Sequence, residues 1–173
     1  MQPDLTAELT AALEKRILML DGAMGTTIRG YGLTEEDARG ERFKDSEKDI
    51  LNNGDILSLT RPDVIFDIHK RFLEAGSDIV ETNSFSGTAI AQSEFFVEDP
   101  REKGEGRKDP EFYQGVMENQ FLIDLAHEIN FESAKLARQA CDEVEKETGK
   151  SPYQQIRDLR GIQWPAPTAA IAK

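Results

Sequence analysis

Two polar strings in this chain combine residue types that could bind a small zwitterion. They are Asp21-Gly22-Ala23-Met24-Gly25-Thr26 and Glu81-Thr82-Asn83-Ser84-Phe85, and each continues from a short apolar run. A carboxylate followed by small residues offers a ligand two things. Asp21 can pair with an ammonium group, and the amides of Gly22, Ala23 and Gly25 can approach closely enough to hold a carboxylate. Glu81 would share the ammonium charge, while Asn83, Thr26, Thr27 and Ser84 add neutral donors and acceptors. One ligand carrying both groups is an amino acid, so the strings predict an amino-acid pocket at Asp21, Gly22, Ala23, Glu81 and Asn83. The plainer alternative also fits the spacing: DG and GT are turn chemistry, and Glu81 is a solvated carboxylate.

Other chemistries find less support. Gly22-x-x-Gly25-Thr26 lacks the G-x-x-x-x-G-K-[ST] pattern and the lysine that would cradle phosphates, and neither string carries G-x-G-x-x-G. His69 and His127 fall inside helical patterns, outside any H-E-x-x-H or His/Cys cluster, and read as packing or helix-surface residues. Cys141 is the single cysteine of the chain. It sits mid-helix beside Ala140 with no base in its pattern, which predicts a structural thiol. One cysteine also excludes an internal disulfide and a multi-cysteine zinc site within these residues.

The elements that must position the two strings follow from hydrophobic periodicity. Residues 5–15 carry Leu5, Leu9, Ala12 and Leu13 on one helical face. Ile17 to Leu20 predict a short buried strand that opens into the loop DGAMGTTIRGYGL. Residues 34–60 are mixed and polar, with Asn52-Asn53-Gly54-Asp55 as a turn signal. Pro62 starts a strong helix with Val64, Ile65, Ile68, Phe72 and Leu73 as its stripe and Gly76 as its end. Asp78 to Asn83 predict a second strand, followed by a helix over roughly 88–96. Residues 97–112 have little apolar content and predict a solvated, mobile insertion. From Tyr113 to about Thr148 the pattern is helical, with Gly149 as C-cap. Alternating strands and helices imply a parallel sheet, whose sites lie where strands end.

Composition narrows the class. Lys plus Arg total 21 and Asp plus Glu 33 in 173 residues, giving 21 − 33 = −12. That balance opposes binding to nucleic-acid backbones or to anionic lipid through a basic patch. No apolar run approaches the roughly 20 residues that span a bilayer, and the N-terminus lacks a signal-peptide core. A soluble, acidic, cytoplasmic protein of single-domain length is expected.

Longer motifs then carry a resemblance. Asp21-Gly22-Ala23-Met24-Gly25-Thr26, the run from Leu57-Ser58-Leu59-Thr60-Arg61-Pro62-Asp63 to Val64-Ile65, and Ala75-Gly76-Ser77-Asp78 through Phe85 occur in that order. Together they resemble the homocysteine S-methyltransferase family. His127-Glu128-Ile129-Asn130-Phe131 and Ala134-Lys135-Leu136-Ala137-Arg138 make the chain look like the homocysteine-binding modules of cobalamin-dependent methionine synthases. The similarity spans about residues 12–147. It implies a methyltransferase with a (β/α)8 TIM-barrel fold, of which residues 1–150 would form the incomplete N-terminal half. It also implies homocysteine at the strand ends, with Asp21 and the Gly22 and Ala23 amides holding its amino and carboxylate groups, and Glu81 nearby. A zinc ion bound by three cysteines would activate the thiol. The methyl group would come from methylcobalamin, and ultimately from methyltetrahydrofolate on a separate module.

The chain departs from that pattern in its second half. The family's zinc cysteines lie later in the barrel, and Cys141 matches none of them. No catalytic or metal-binding residue is therefore expected here, and neither zinc nor cobalamin has an identifiable ligand. After Gly149 the family continues into an apolar strand and Gly-Pro-Thr-Asn-Arg, whereas this chain reads SPYQQIRDLRGIQWPAPTAAIAK. Residues 151–173 are expected to be a divergent tail, by hypothesis a frameshifted one. Two readings follow: the homocysteine module of methionine synthase, inactive as this chain alone, or a non-catalytic half-barrel that acts by self-association or partner binding.

Overall fold

Pro62 opens helix α5 (Pro62–Glu74) at the position where its missing N–H costs nothing. Val64, Ile65, Ile68, His69 and Leu73 recur at helical spacing and are all buried. Ala75 caps the helix, and the chain leaves it through Gly76 at φ +107°, a left-handed value suited to glycine. The computed structural model describes residues 6–98 and 110–149. The expected insertion over 97–112 falls mostly outside these residues, and the expected tail over 151–173 lies wholly outside them.

Helix α5 packs on the longest helix, α8 (Gln120–Thr148). Leu125, Ile129 and Leu136 of α8 meet Val64, Ile65 and Ile68 of α5 in the main core. Burying such side chains is worth about 1.5–3 kcal/mol each before entropy is counted. The expected continuous helix from Tyr113 is two helices, α7 (Pro110–Glu118) and α8. Asn119 divides them because its side chain accepts the Leu122 N–H at 3.3 Å, an N-cap bond that competes with helix continuation. Gly149 ends α8 in the left-handed conformation, as its sequence position suggested.

Short helices fill the stretches expected to be loop. Helix α1 (Thr6–Lys15) matches the N-terminal prediction. Helix α2 (Met24–Gly30) forms inside the glycine-rich loop because Met24 and Ile28, four residues apart, pack on the main core. Helix α3 (Glu35–Arg39) carries a capping box between Thr34 and Asp37. A 3₁₀ turn at Gly54–Ile56 runs into α4 (Leu57–Thr60), and α6 (Ala89–Phe96) starts at the cap of Thr88.

The described residues are mostly helical, and the two expected strands meet in a single parallel bridge, Leu20 with Ile79. Asp78 and Ile79 donate to the Met19 carbonyl at 2.7 and 3.1 Å, and Asp21 N–H donates to Ile79 at 2.9 Å. The first segment is also not buried as expected. Leu18 turns toward Ala12, Leu73, Ala140 and Val144, while Ile17 is 83% exposed, Met19 58% and Leu20 50%. A parallel strand is sheltered only when other strands or helices cover its faces and edges. Among the described residues each segment has just the other as strand partner, so no ladder develops and the first segment stays largely exposed.

A carboxylate fixes their register instead. Asp78, 4% exposed, accepts the Met19 N–H at 2.9 Å and pairs in bidentate fashion with Arg16. The guanidinium holds the Asp78 carboxyl below the usual carboxylate range. Because the folded value is depressed, this stabilisation is present above the unfolded value and is lost as pH falls through the folded one. Asp78→Asn should therefore lower the melting temperature by several degrees at pH 7, with the gap to wild type closing as pH drops below about 4. Thermal melts across pH check this; a gap independent of pH would refute it.

Candidate functional site

The bridge brings the two polar strings together. Between them opens a cleft of about 500 Å³, walled by residues 21–25, the 51–55 turn and residues 81–86. Asp21, Gly22, Ala23, Glu81 and Asn83, the residues singled out in the sequence, all line it. They contribute differently.

Asp21 is 8% exposed, and its Oδ1 accepts the Glu81 N–H at 2.8 Å. This bond ties the start of one loop to the other. Beyond it lies His69 of α5, whose Nδ1 is 3.9 Å from Asp21 Oδ2. His69 is fully buried, and neither ring nitrogen has a hydrogen-bond partner. An orphaned buried polar group costs about 1–3 kcal/mol, so its retention calls for an explanation. The Glu81 side chain is exposed at the cleft.

Gly22 and Ala23 present exposed main chain. Their N–H groups donate to no acceptor among the described residues. Ala23 has φ +53°, ψ 26°, a left-handed conformation uncommon for a residue with a Cβ. Such strain costs about 1 kcal/mol or more and persists where surrounding structure enforces it, often at binding sites.

Asn83 is 5% exposed and bound into the scaffold. Its Nδ2 donates to the Gly54 carbonyl at 2.9 Å and to Ser58 Oγ at 3.1 Å. Its carbonyl accepts from Ser133 Oγ of α8 at 2.8 Å, and that hydroxyl lies 2.8 Å from Ser58 Oγ. The loop beyond is held by Asn130, whose Nδ2 donates to Gly87 at 2.6 Å. Gly87 allows this approach, since a Cβ there would fall 2.7 Å from the same Nδ2.

Two charged residues of the cleft were not singled out in the sequence, Asp55 and Arg29. Asp55 belonged to a turn signal that gave no hint of burial, yet it is 7% exposed and accepts the Ser86 N–H. Burial pushes its carboxyl up to about 6, the Ser86 bond opposing the rise. Arg29 lay in a stretch expected to be loop. Only the i, i+4 pair Met24 and Ile28 could have signalled the helix that carries it to the cleft.

The remaining candidates sit apart from the cleft. His127 is exposed on α8. Cys141 is partly buried against the Ala12–Val144 cluster, and burial pushes its thiol up to about 11, the environment of an inert cysteine. Among the described residues there is no group of three or more His, Cys, Asp or Glu able to hold a metal ion. None of their helices is long and apolar enough to cross a membrane.

The cleft thus sets an acidic residue beside unpaired main-chain amides where two parallel extended segments meet. The profile of the homocysteine S-methyltransferase family matches residues 18–159, and the chain belongs to that family.

The raised Asp55 carboxyl generates a stability prediction. Between the unfolded value near 3.8 and about 6, the folded state holds more protons than the unfolded chain. Stability therefore falls as pH rises through that window, and the penalty is complete above it. Asp55→Asn keeps an acceptor for Ser86 and removes the buried charge. It should stabilise the fold by about 2 kcal/mol at pH 7.5 and have no such effect near pH 4. Urea unfolding at both pH values checks this; destabilisation at pH 7.5 would refute it.

Proposed function

We propose that this chain is the homocysteine-binding part of a cobalamin-dependent methionine synthase, built as the N-terminal portion of a (β/α)8 barrel. Homocysteine would lie in the cleft with its ammonium group on Asp21 and Glu81. Its carboxylate would lie on the Gly22 and Ala23 amides, with Arg29 close enough in the same cleft to add charge. The observation that carries this reading is Asp21 itself, buried yet facing the cleft, with one oxygen held by the Glu81 N–H. Asn83 then supports the cleft wall through Gly54 and Ser58.

In the complete reaction the thiol would take a methyl group from methylcobalamin, resupplied by methyltetrahydrofolate, to give methionine. Zinc, which makes a thiol a stronger nucleophile by lowering its pKa, does not fit the described residues, because they contain no metal-holding cluster. No zinc-dependent step is assigned to them, and the activity proposed for this chain alone is binding without turnover.

Isothermal titration with L-homocysteine tests the proposal. Asp21→Ala removes a charge-assisted bond worth about 1.5–3 kcal/mol and should weaken binding roughly 10–100-fold. Wild type that fails to bind homocysteine, or a variant that binds equally well, would overturn it.

A second, non-catalytic reading is favoured by the exposed apolar segment at Ile17, Met19 and Leu20. An uncovered strand invites pairing with another, and the occupant proposed is a second copy of this chain. A net charge of −12 opposes association of like copies, so added salt should strengthen it. Light scattering should report a mass above one chain that falls to the monomer value on Ile17→Lys. A monomer at every salt concentration would exclude this reading.

A further inference from the structure

His69 occupies an unusual position for an imidazole. It is fully buried on the face of α5 that also carries Ile65, Ile68 and Leu73, and both its nitrogens lack partners. The nearest acidic oxygen is Asp21 Oδ2, 3.9 Å from Nδ1, just beyond hydrogen-bond length. Asp21 Oδ1 is already fixed by the Glu81 N–H at 2.8 Å. A sub-ångström shift of ring or carboxylate would hold both oxygens, one from the main chain and one from α5.

We propose that His69 is a positioning residue for Asp21: its Nδ1–H donates to Oδ2 when the cleft is occupied, presenting the carboxylate to the ligand's ammonium group in one fixed orientation. Nε2 is then the unprotonated nitrogen, and a bare ring lone pair is easier to bury than an unpartnered N–H. His69 touches no ligand in this scheme and acts only through Asp21. The inference rests on the reading that Asp21 receives an ammonium group.

The chain labelled with ¹⁵N-histidine provides the direct test. It has two histidines, and exposed His127 serves as the internal reference. Long-range ¹H–¹⁵N spectra should show His69 as the Nδ1–H tautomer, with its ¹⁵N shifts moving on Asp21→Asn and on addition of homocysteine. The Nε2–H tautomer, or shifts indifferent to Asp21, would overturn the proposal. So would a doubly protonated ring, because the pair would then carry no net negative charge for the ammonium.

Binding supplies the second readout. His69→Phe should weaken homocysteine about ten-fold but leave 4-mercaptobutyrate, which lacks the amino group, unchanged, and His69→Gln should restore part of the loss. Equal weakening of both ligands would mark a merely structural role and refute positioning. If His69→Phe does not fold, His69→Gln and the tautomer of the wild-type protein still decide the matter. If wild type binds no homocysteine, the proposed function falls, whereas the Asp21-dependent ring shifts separately report whether the pair exists.

Discussion

Asp78 and Asp21 stand at opposite ends of the contact between the two extended segments, and each accepts a main-chain N–H from the other one. Asp78 takes that of Met19, and Asp21 takes that of Glu81. Side-chain bonds here replace the ladder that longer, flanked strands would form. A one-residue slip of a strand reverses which way every side chain points. These reciprocal bonds therefore do more than add stability: they decide which residues face the cleft. The Arg16 pair anchors the outer end, where solvent would otherwise compete for the Asp78 carboxylate.

The inner end of this arrangement is also the candidate site, so Asp21 has a double role. Its Oδ1 serves the fold and its Oδ2 faces the unpartnered ring of His69. The strained Ala23 follows two residues later, at the point where the chain turns from extended segment into α2. Opposite, Ser58, Ser133 and Asn83 bind α4 and α8 to the second loop. Helices thus supply the rigidity that the missing ladder does not, which explains how a cleft of defined shape survives beside so little sheet.

Legibility in the sequence followed the strength of local periodicity. The stripe of α5 and the end of α8 at Gly149 rest on contacts within a few residues, and periodicity and the Gly149 cap located them. The segment Ile17–Leu20 was apolar enough to predict a strand, but its burial depends on neighbours that no local pattern encodes. Helix α2 was hidden by glycines and threonines that signal turns, although Met24 and Ile28 were correctly spaced to pack. Asp21, Gly22, Ala23, Glu81 and Asn83 were legible as a set because small and acidic residues follow apolar runs. Their convergence on one cleft is a tertiary fact. Asp55 was not legible, because a turn aspartate looks the same in sequence whether solvent or protein surrounds it.

That hidden aspartate changes the electrostatics of the cleft. Asp21, Asp55 and Glu81 share its walls. Their environments differ: Glu81 is exposed, Asp21 is held by a main-chain N–H, and Asp55 is buried with its carboxyl raised to about 6. Below that pH Asp55 is protonated and the cleft carries less negative charge; above it the charge rises. The ammonium group of the proposed homocysteine ligand would therefore meet, at neutral pH, a field strengthened by a residue it need not touch. The folded chain bears the cost of that buried charge. Stability given up at Asp55 and at Ala23, both lining the same cleft, fits a region shaped for binding more closely than one shaped for stability alone.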